Sequence, residues 1–137
     1  MNKRLNYYEV APRAVEILLE QEKYLKEQFK RSNTLTTTIW ELVKLRVSQL
    51  NQCAFCIDMH SKDALHLGEK PERIYGLDAW RDMPFYTEQE KSALEFAELL
   101  SSTRPVVEGS YQRILDCFGE EGLVNLTIAI NAINMPK

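Results

Sequence analysis

Apolar residues recur at steps of three and four along nearly the whole chain, and stretches that alternate apolar with polar are scarce. That spacing is the stripe a helix turns towards a core, so the pattern predicts an all-α fold, a helical bundle of about six to seven helices. A first helix is expected over 12–29. Pro12 suits its first turn, and Val15, Leu18, Leu19, Leu25 and Phe29 fall near one face, with Glu22 the polar exception. After the turn-like RSNT a second helix is expected from near Leu35, carrying Ile39, Leu42, Val43, Leu45, Arg46 and Leu50. It should stop at LNQ, residues 50–52, with Asn51 as N-cap of the next helix. That third helix is expected over 53–67, closed by Gly68. Pro71 opens a short helix covering PERIYGLDAW, and RDMPF is a break. TEQE, residues 87–90, reads as a capping box in which Thr87 and Glu90 satisfy each other's end of the helix. That helix takes in Leu94, Phe96, Ala97, Leu99 and Leu100. Beyond the loop STRPVVEGS, YQRILDCF makes a further helix ended by Gly119. The last is expected over 120–134, with Leu123, Leu126, Ile130 and Ile133 on one stripe and Pro136 stopping it.

Composition narrows the class. A chain of 137 residues, 45% apolar and 27% charged, is most simply one globular domain spanning 1–137. A domain of that length buries roughly two thirds of the surface its unfolded chain exposes, enough for a core without disulfide staples. The net charge of -3 and the absence of a long basic block argue against nucleic acid as a partner. MNKRLNYYEVAP has no apolar stretch behind its basic residues, so it does not read as a signal peptide. No apolar run approaches the ~18 residues that a membrane span needs. A cytoplasmic protein without a membrane partner is expected, and there a Cys-x-x-Cys is more often catalytic or metal-binding than structural.

The chemistry gathers in NQCAFCIDMH, residues 51–60, which holds two of the three cysteines and one of the two histidines. On a helix, Cys53 and Cys56 stand about 60° apart, Cys56 and His60 about 40°, and Cys53 and His60 about 20°. All three share a face, and Cys56 and His60 at i and i+4 are direct neighbours. Cys53 and His60 lie roughly 10 Å apart along the axis. The thiolate is the nucleophile, and two effects favour it here. The positive end of the helix acts most on Cys53. His60 as proton acceptor acts on Cys56. A base at i+4 is the more specific partner, which points to Cys56 as the attacker. An orienting carboxylate would help the histidine. Asp58 lies nearly on the opposite face, Asp63 could touch from the rim, and Glu41 could be brought over by a hairpin through LNQ.

The segment ELVKLRVSQLNQCAFCIDMHSKDALHLGE, residues 41–69, resembles the core signature of the AhpD-like alkylhydroperoxidases of the carboxymuconolactone decarboxylase family. The pattern is a glutamate, eleven residues, Cys-x-x-Cys, three residues and a histidine: Glu41, Cys53, Cys56 and His60. The likeness continues through residues 75–100 and 126–134. It implies an all-α fold that oligomerises as dimers, trimers or hexamers. It also implies a thiol-dependent peroxidase in which Cys56 attacks the peroxide, Cys53 resolves the sulfenic acid as a disulfide, and Glu41 and His60 relay the proton, partly through water. The implied partners are a hydroperoxide substrate and an external dithiol reductant or reductase, with no cofactor and no metal. The likeness departs at Phe55, where the best-studied members carry a second histidine, which points to weaker activity or a shifted substrate. It departs again at NAINMPK, where similar chains continue into a longer helix that bears on the oligomer contacts.

Blander readings stand beside these. Two cysteines can be small core residues. Cys53, Cys56 and His60 with Glu41 could hold zinc, although Cys117 lies on another helix and no second Cys-x-x-Cys exists. Cys117 in ILDCF and the tryptophans Trp40 and Trp80 read as core, His66 as a surface residue complementing a helix end, and Glu41 as either relay or solvated side chain. Besides the peroxidase, a general disulfide reductase and a non-enzymatic, oligomeric redox sensor or scaffold remain as alternatives.

Overall fold

The structure is a computed structural model that describes residues 4–134. It consists of α1 (Tyr7–Val10), α2 (Pro12–Arg31), α3 (Thr37–Leu50), α4 (Ala54–His66), α5 (Pro71–Tyr75), a 3-10 helix (Leu77–Asp82), α6 (Glu88–Leu100) and α7 (Glu108–Asn134). No strand occurs among the described residues, as the periodicity predicts. The expected stop at Pro136 lies outside the described residues.

α3 is the axis of the molecule. Its residues 39–43 and 45–48 are all buried, because α4, α6 and α7 pack around it. Two apolar clusters meet on it. Ile39, Trp40, Val43 and Val47 face Leu25 and Phe29 of α2, Ala93, Phe96 and Ala97 of α6, and Leu126, Ala129 and Ile130 of α7. Leu42 and Leu45 face the other way, towards Ala64, Ile74, Leu77, Trp80, Tyr86 and Leu94. Each fully buried leucine or isoleucine side chain contributes roughly 1.5–3 kcal/mol of transfer free energy.

Local differences from the sequence reading have local causes. α1 has no buried residue and so leaves no periodic trace. α2 uses a narrower stripe than expected: Val15, Leu25 and Phe29 are buried, Leu18 is half-buried and Leu19 is exposed. α3 starts at Thr37, two residues later than Leu35, because the Thr36 hydroxyl accepts from the Ile39 N–H. The PERIYGLDAW helix divides at Gly76 into α5 and the 3-10 helix, which carries the chain on to Asp82. The capping box is present, with Glu90 Oε1 accepting from Thr87 N–H at 2.8 Å and Thr87 Oγ1 from Glu90 N–H at 3.1 Å. The two helices expected on either side of Gly119 are both present within the span of α7, divided where expected by a kink at Gly119, where φ is 77° and ψ 178°.

Candidate thiol site

The α3–α4 turn sets the cysteines. Asn51 does not cap α4. It closes α3, its N–H donating to Val47 O, and its side-chain amide donates to Asn134 Oδ1 of α7 at 3.0 Å. Gln52 then takes the left-handed conformation, φ 53°, which reverses the chain. Cys53 follows in extended backbone as the true N-cap, its N–H donating to Ser48 O and its Sγ accepting from the Cys56 N–H at 3.3 Å. A sulfur does here what an asparagine oxygen was expected to do two residues earlier. Cys53 and Cys56 are joined as a disulfide, their Cα atoms 5.2 Å apart. Both are half-buried.

The disulfide forms part of the wall of a cavity of about 790 Å³. α4 contributes Cys53, Phe55, Cys56, Met59 and His60. α3 contributes Trp40, Lys44 and Ser48, and α7 contributes Ala129, Ala132 and Ile133. Arg4 and Glu22 also border it. Phe55, which stands between the cysteines in sequence, is 75% exposed, so it is not held by the core.

Glu41 is buried, which removes the reading of a solvated helix residue. Its Oε1 pairs with Lys44 Nζ at 2.7 Å. It borders a second cavity of about 510 Å³ instead of the thiol cavity. The structure therefore brings Cys53, Cys56 and His60 onto one cavity and sets Glu41 behind it, connected through Lys44. Glu41 Oε2 and His60 Nδ1 are the two buried side-chain polar atoms among the described residues without a hydrogen-bond partner. Burial holds His60 below the ordinary histidine value of 6.5, and the Lys44 ammonium lowers it further, while Glu41 and Asp63 pull the other way. The balance keeps the imidazole neutral near pH 7, the form that accepts a proton.

Lys44 is the site residue that the sequence reading missed. The available signal was its place three residues after Glu41, one turn along the same face. Trp40 is core on one side, stacked on Phe29 with ring centroids 5.0 Å apart, and cavity wall on the other. Asp58 is spent on an exposed pair with Lys62 at 2.8 Å, and His66 is exposed in the last turn of α4. Cys117 is half-buried against the larger cluster, and burial pushes its thiol up. Among the described residues no three His, Cys, Asp or Glu side chains converge as metal ligands. None of the described helices is long and apolar enough to cross a membrane.

Residues 20–99 match the model of the carboxymuconolactone decarboxylase family. The chain is 43% identical to the uncharacterized protein YdfG of Bacillus subtilis (strain 168) over 136 residues, covering 98% of this chain and 89% of that one. It is 28% identical to the uncharacterized protein YnjA of Escherichia coli (strain K12) over 107 residues, 77% of this chain and 59% of YnjA. Among solved structures it is similar to ATU0492 of Agrobacterium tumefaciens, a protein of unknown function provisionally named an antioxidant defence protein AhpD. The TM-score is 0.85 at 32% identity, over 97% of this chain and 89% of that one. The match over more than half of the sequence, on a fold with the cysteine pair at a helix start, shows that this chain belongs to the carboxymuconolactone decarboxylase family and has the AhpD-like fold.

Proposed function

We propose that the protein is a thiol-dependent peroxidase that reduces hydroperoxides through the Cys53–Cys56 couple. The observation that carries this reading is the placement of a Cys53–Cys56 disulfide on the wall of a largely apolar cavity, with His60, whose proton affinity burial and Lys44 lower, one turn further along the same helix. In the reduced protein, His60 takes the Cys56 proton. The thiolate sulfur attacks the terminal peroxide oxygen, the O–O bond breaks, and the alkoxide leaves as alcohol with the proton returned by His60. Cys56 becomes a sulfenic acid. The Cys53 thiol attacks its sulfur, water leaves, and the disulfide forms. An external dithiol then reduces the pair and is itself oxidised. Glu41 acts from behind the cavity, as the carboxylate that offsets charge on His60. The roles of the four residues, a cytoplasmic setting and assembly into a homo-oligomer belong to this reading.

The test is consumption of an organic hydroperoxide with a dithiol reductant. Wild type should turn over, and Cys56→Ser should lose turnover by at least about 100-fold, the scale expected when a nucleophile is removed. Equal rates in wild type and Cys56→Ser would sink the proposal. One observation favours a second reading, disulfide exchange with another protein. The exposed Phe55 offers an apolar contact beside the disulfide. That reading predicts oxidation of a dithiol protein by the disulfide form, with negligible peroxide consumption.

A further inference from the structure

We infer that Lys44 is a positioning residue of the thiol site, holding the Glu41 carboxylate in place and fixing a positive charge on the wall that Cys53, Cys56 and His60 share. The inference deepens the peroxidase reading and rests on it, but it concerns a residue outside the glutamate–cysteine–histidine pattern.

Geometry carries it. Lys44 Nζ stands 2.7 Å from Glu41 Oε1, and the two side chains are only 12% and 8% exposed. The same ammonium lies 3.9 Å from the centre of the Trp40 ring, and Trp40 is itself stacked on Phe29 in the core. A lysine left free would average its charge over many rotamers, and one clamped between a carboxylate and a rigid indole does not. Lys44 also borders the thiol cavity. A buried ion pair adds little stability over an apolar pair of the same shape, so stability alone gives this pair little reason to exist.

The surrounding charges leave Lys44 as the main fixed cation of the inner wall. Glu22 comes from α2 and Arg4 from the N-terminal segment, and both are exposed. Glu41 acts on His60 from α3 and Asp63 from α4, while α7 supplies only Ala129, Ala132 and Ile133. Burial is the larger influence on His60, and Lys44 adds to it by opposing the imidazolium. The same charge attracts a thiolate in the cavity. One cation thus favours a neutral base in waiting and a charged attacker.

Deleting Lys44 alone would orphan a buried carboxylate, and deleting Glu41 alone a buried ammonium, so the test compares wild type with Glu41→Gln/Lys44→Met, because removal of the whole pair is usually tolerated. The readouts are an NMR titration of His60 in the reduced protein, with exposed His66 as internal reference, and site-resolved alkylation of Cys56 against pH. Glu41→Gln/Lys44→Met should raise both midpoints by about half a pH unit and leave His66 unmoved, because Lys44 borders the thiol cavity and outweighs Glu41 at His60. Lys44→Arg with Glu41 kept, which preserves the pair and its cation, should leave both midpoints at their wild-type values. If Glu41→Gln/Lys44→Met does not fold, Glu41→Gln/Lys44→Gln is read in the same way with the same expectation. Unchanged His60 and Cys56 midpoints in the neutral variant overturn the inference. No peroxide enters these titrations. Loss of the peroxidase reading would therefore appear as absent turnover in wild type, separately from the midpoints.

Discussion

His60 links proton chemistry to structure. Its folded proton affinity is lowered first by burial and then by Lys44. The stability it contributes is present above the ordinary value of 6.5 and is lost as pH falls through the lowered one, because the unfolded chain then binds the proton more readily. The acid limb of peroxide turnover should accordingly lie below pH 6.5, and a limb above that value would contradict a neutral His60 base. His60→Gln should cut turnover by about 100-fold, within the usual worth of a general base, and flatten that limb. At this scale Cys56 and His60 were legible because helix geometry makes i and i+4 neighbours whatever the tertiary fold. Lys44 was not, since its role depends on which carboxylate and which ring the packing brings to it.

Among the elements, the kink in α7 depends on Gly119, whose φ of 77° and ψ of 178° form a region that side chains avoid. A Cβ there would meet no atom within 4 Å, so any cost comes from the backbone alone. Gly119→Ala should lower the unfolding free energy by about 1–3 kcal/mol, checked by urea denaturation, and an unchanged midpoint would remove the backbone argument. A second test lies where α3, α6 and the 3-10 helix meet. Glu98 Oε2 accepts from Arg46 Nε at 2.8 Å and from Trp80 Nε1 at 3.0 Å, and Oε1 from Arg81 at 2.7 Å. Burial alone would raise its proton affinity, but those donors together hold the carboxyl below its usual value. Its stability contribution is therefore present at neutral pH and is lost as the solution is acidified through that lowered value. Glu98→Ala should cost about 3 kcal/mol at pH 7, with the gap to wild type narrowing in acid. A gap independent of pH would mean that packing, not charge, is what the glutamate provides. Helix positions were legible in the apolar stripes and in Thr87 and Glu90. The turn at 51–53 was not, because an asparagine with good capping chemistry instead ties α3 to α7, and a cysteine caps in its place.

For the whole molecule, both apolar clusters share α3, so neither can lose its packing without exposing the same helix. Unfolding should be a single transition, with tryptophan fluorescence of Trp40 and Trp80, one in each cluster, coinciding with far-UV dichroism. Separate transitions would show that the clusters behave as two units. The all-α class was legible because the three- and four-residue spacing persists through every long helix. The cavity was not, since α7, distant in sequence, supplies one wall against α3 and α4. The role of Cys56 as attacker is tested most directly in reduced Cys53→Ser protein, treated with one equivalent of an organic hydroperoxide and analysed by peptide mass spectrometry. One oxygen atom, trappable as sulfenic acid, is expected on Cys56, with release of one equivalent of alcohol. An unmodified Cys56, or faster oxidation at Cys53 in the matching Cys56→Ser protein, would contradict that role.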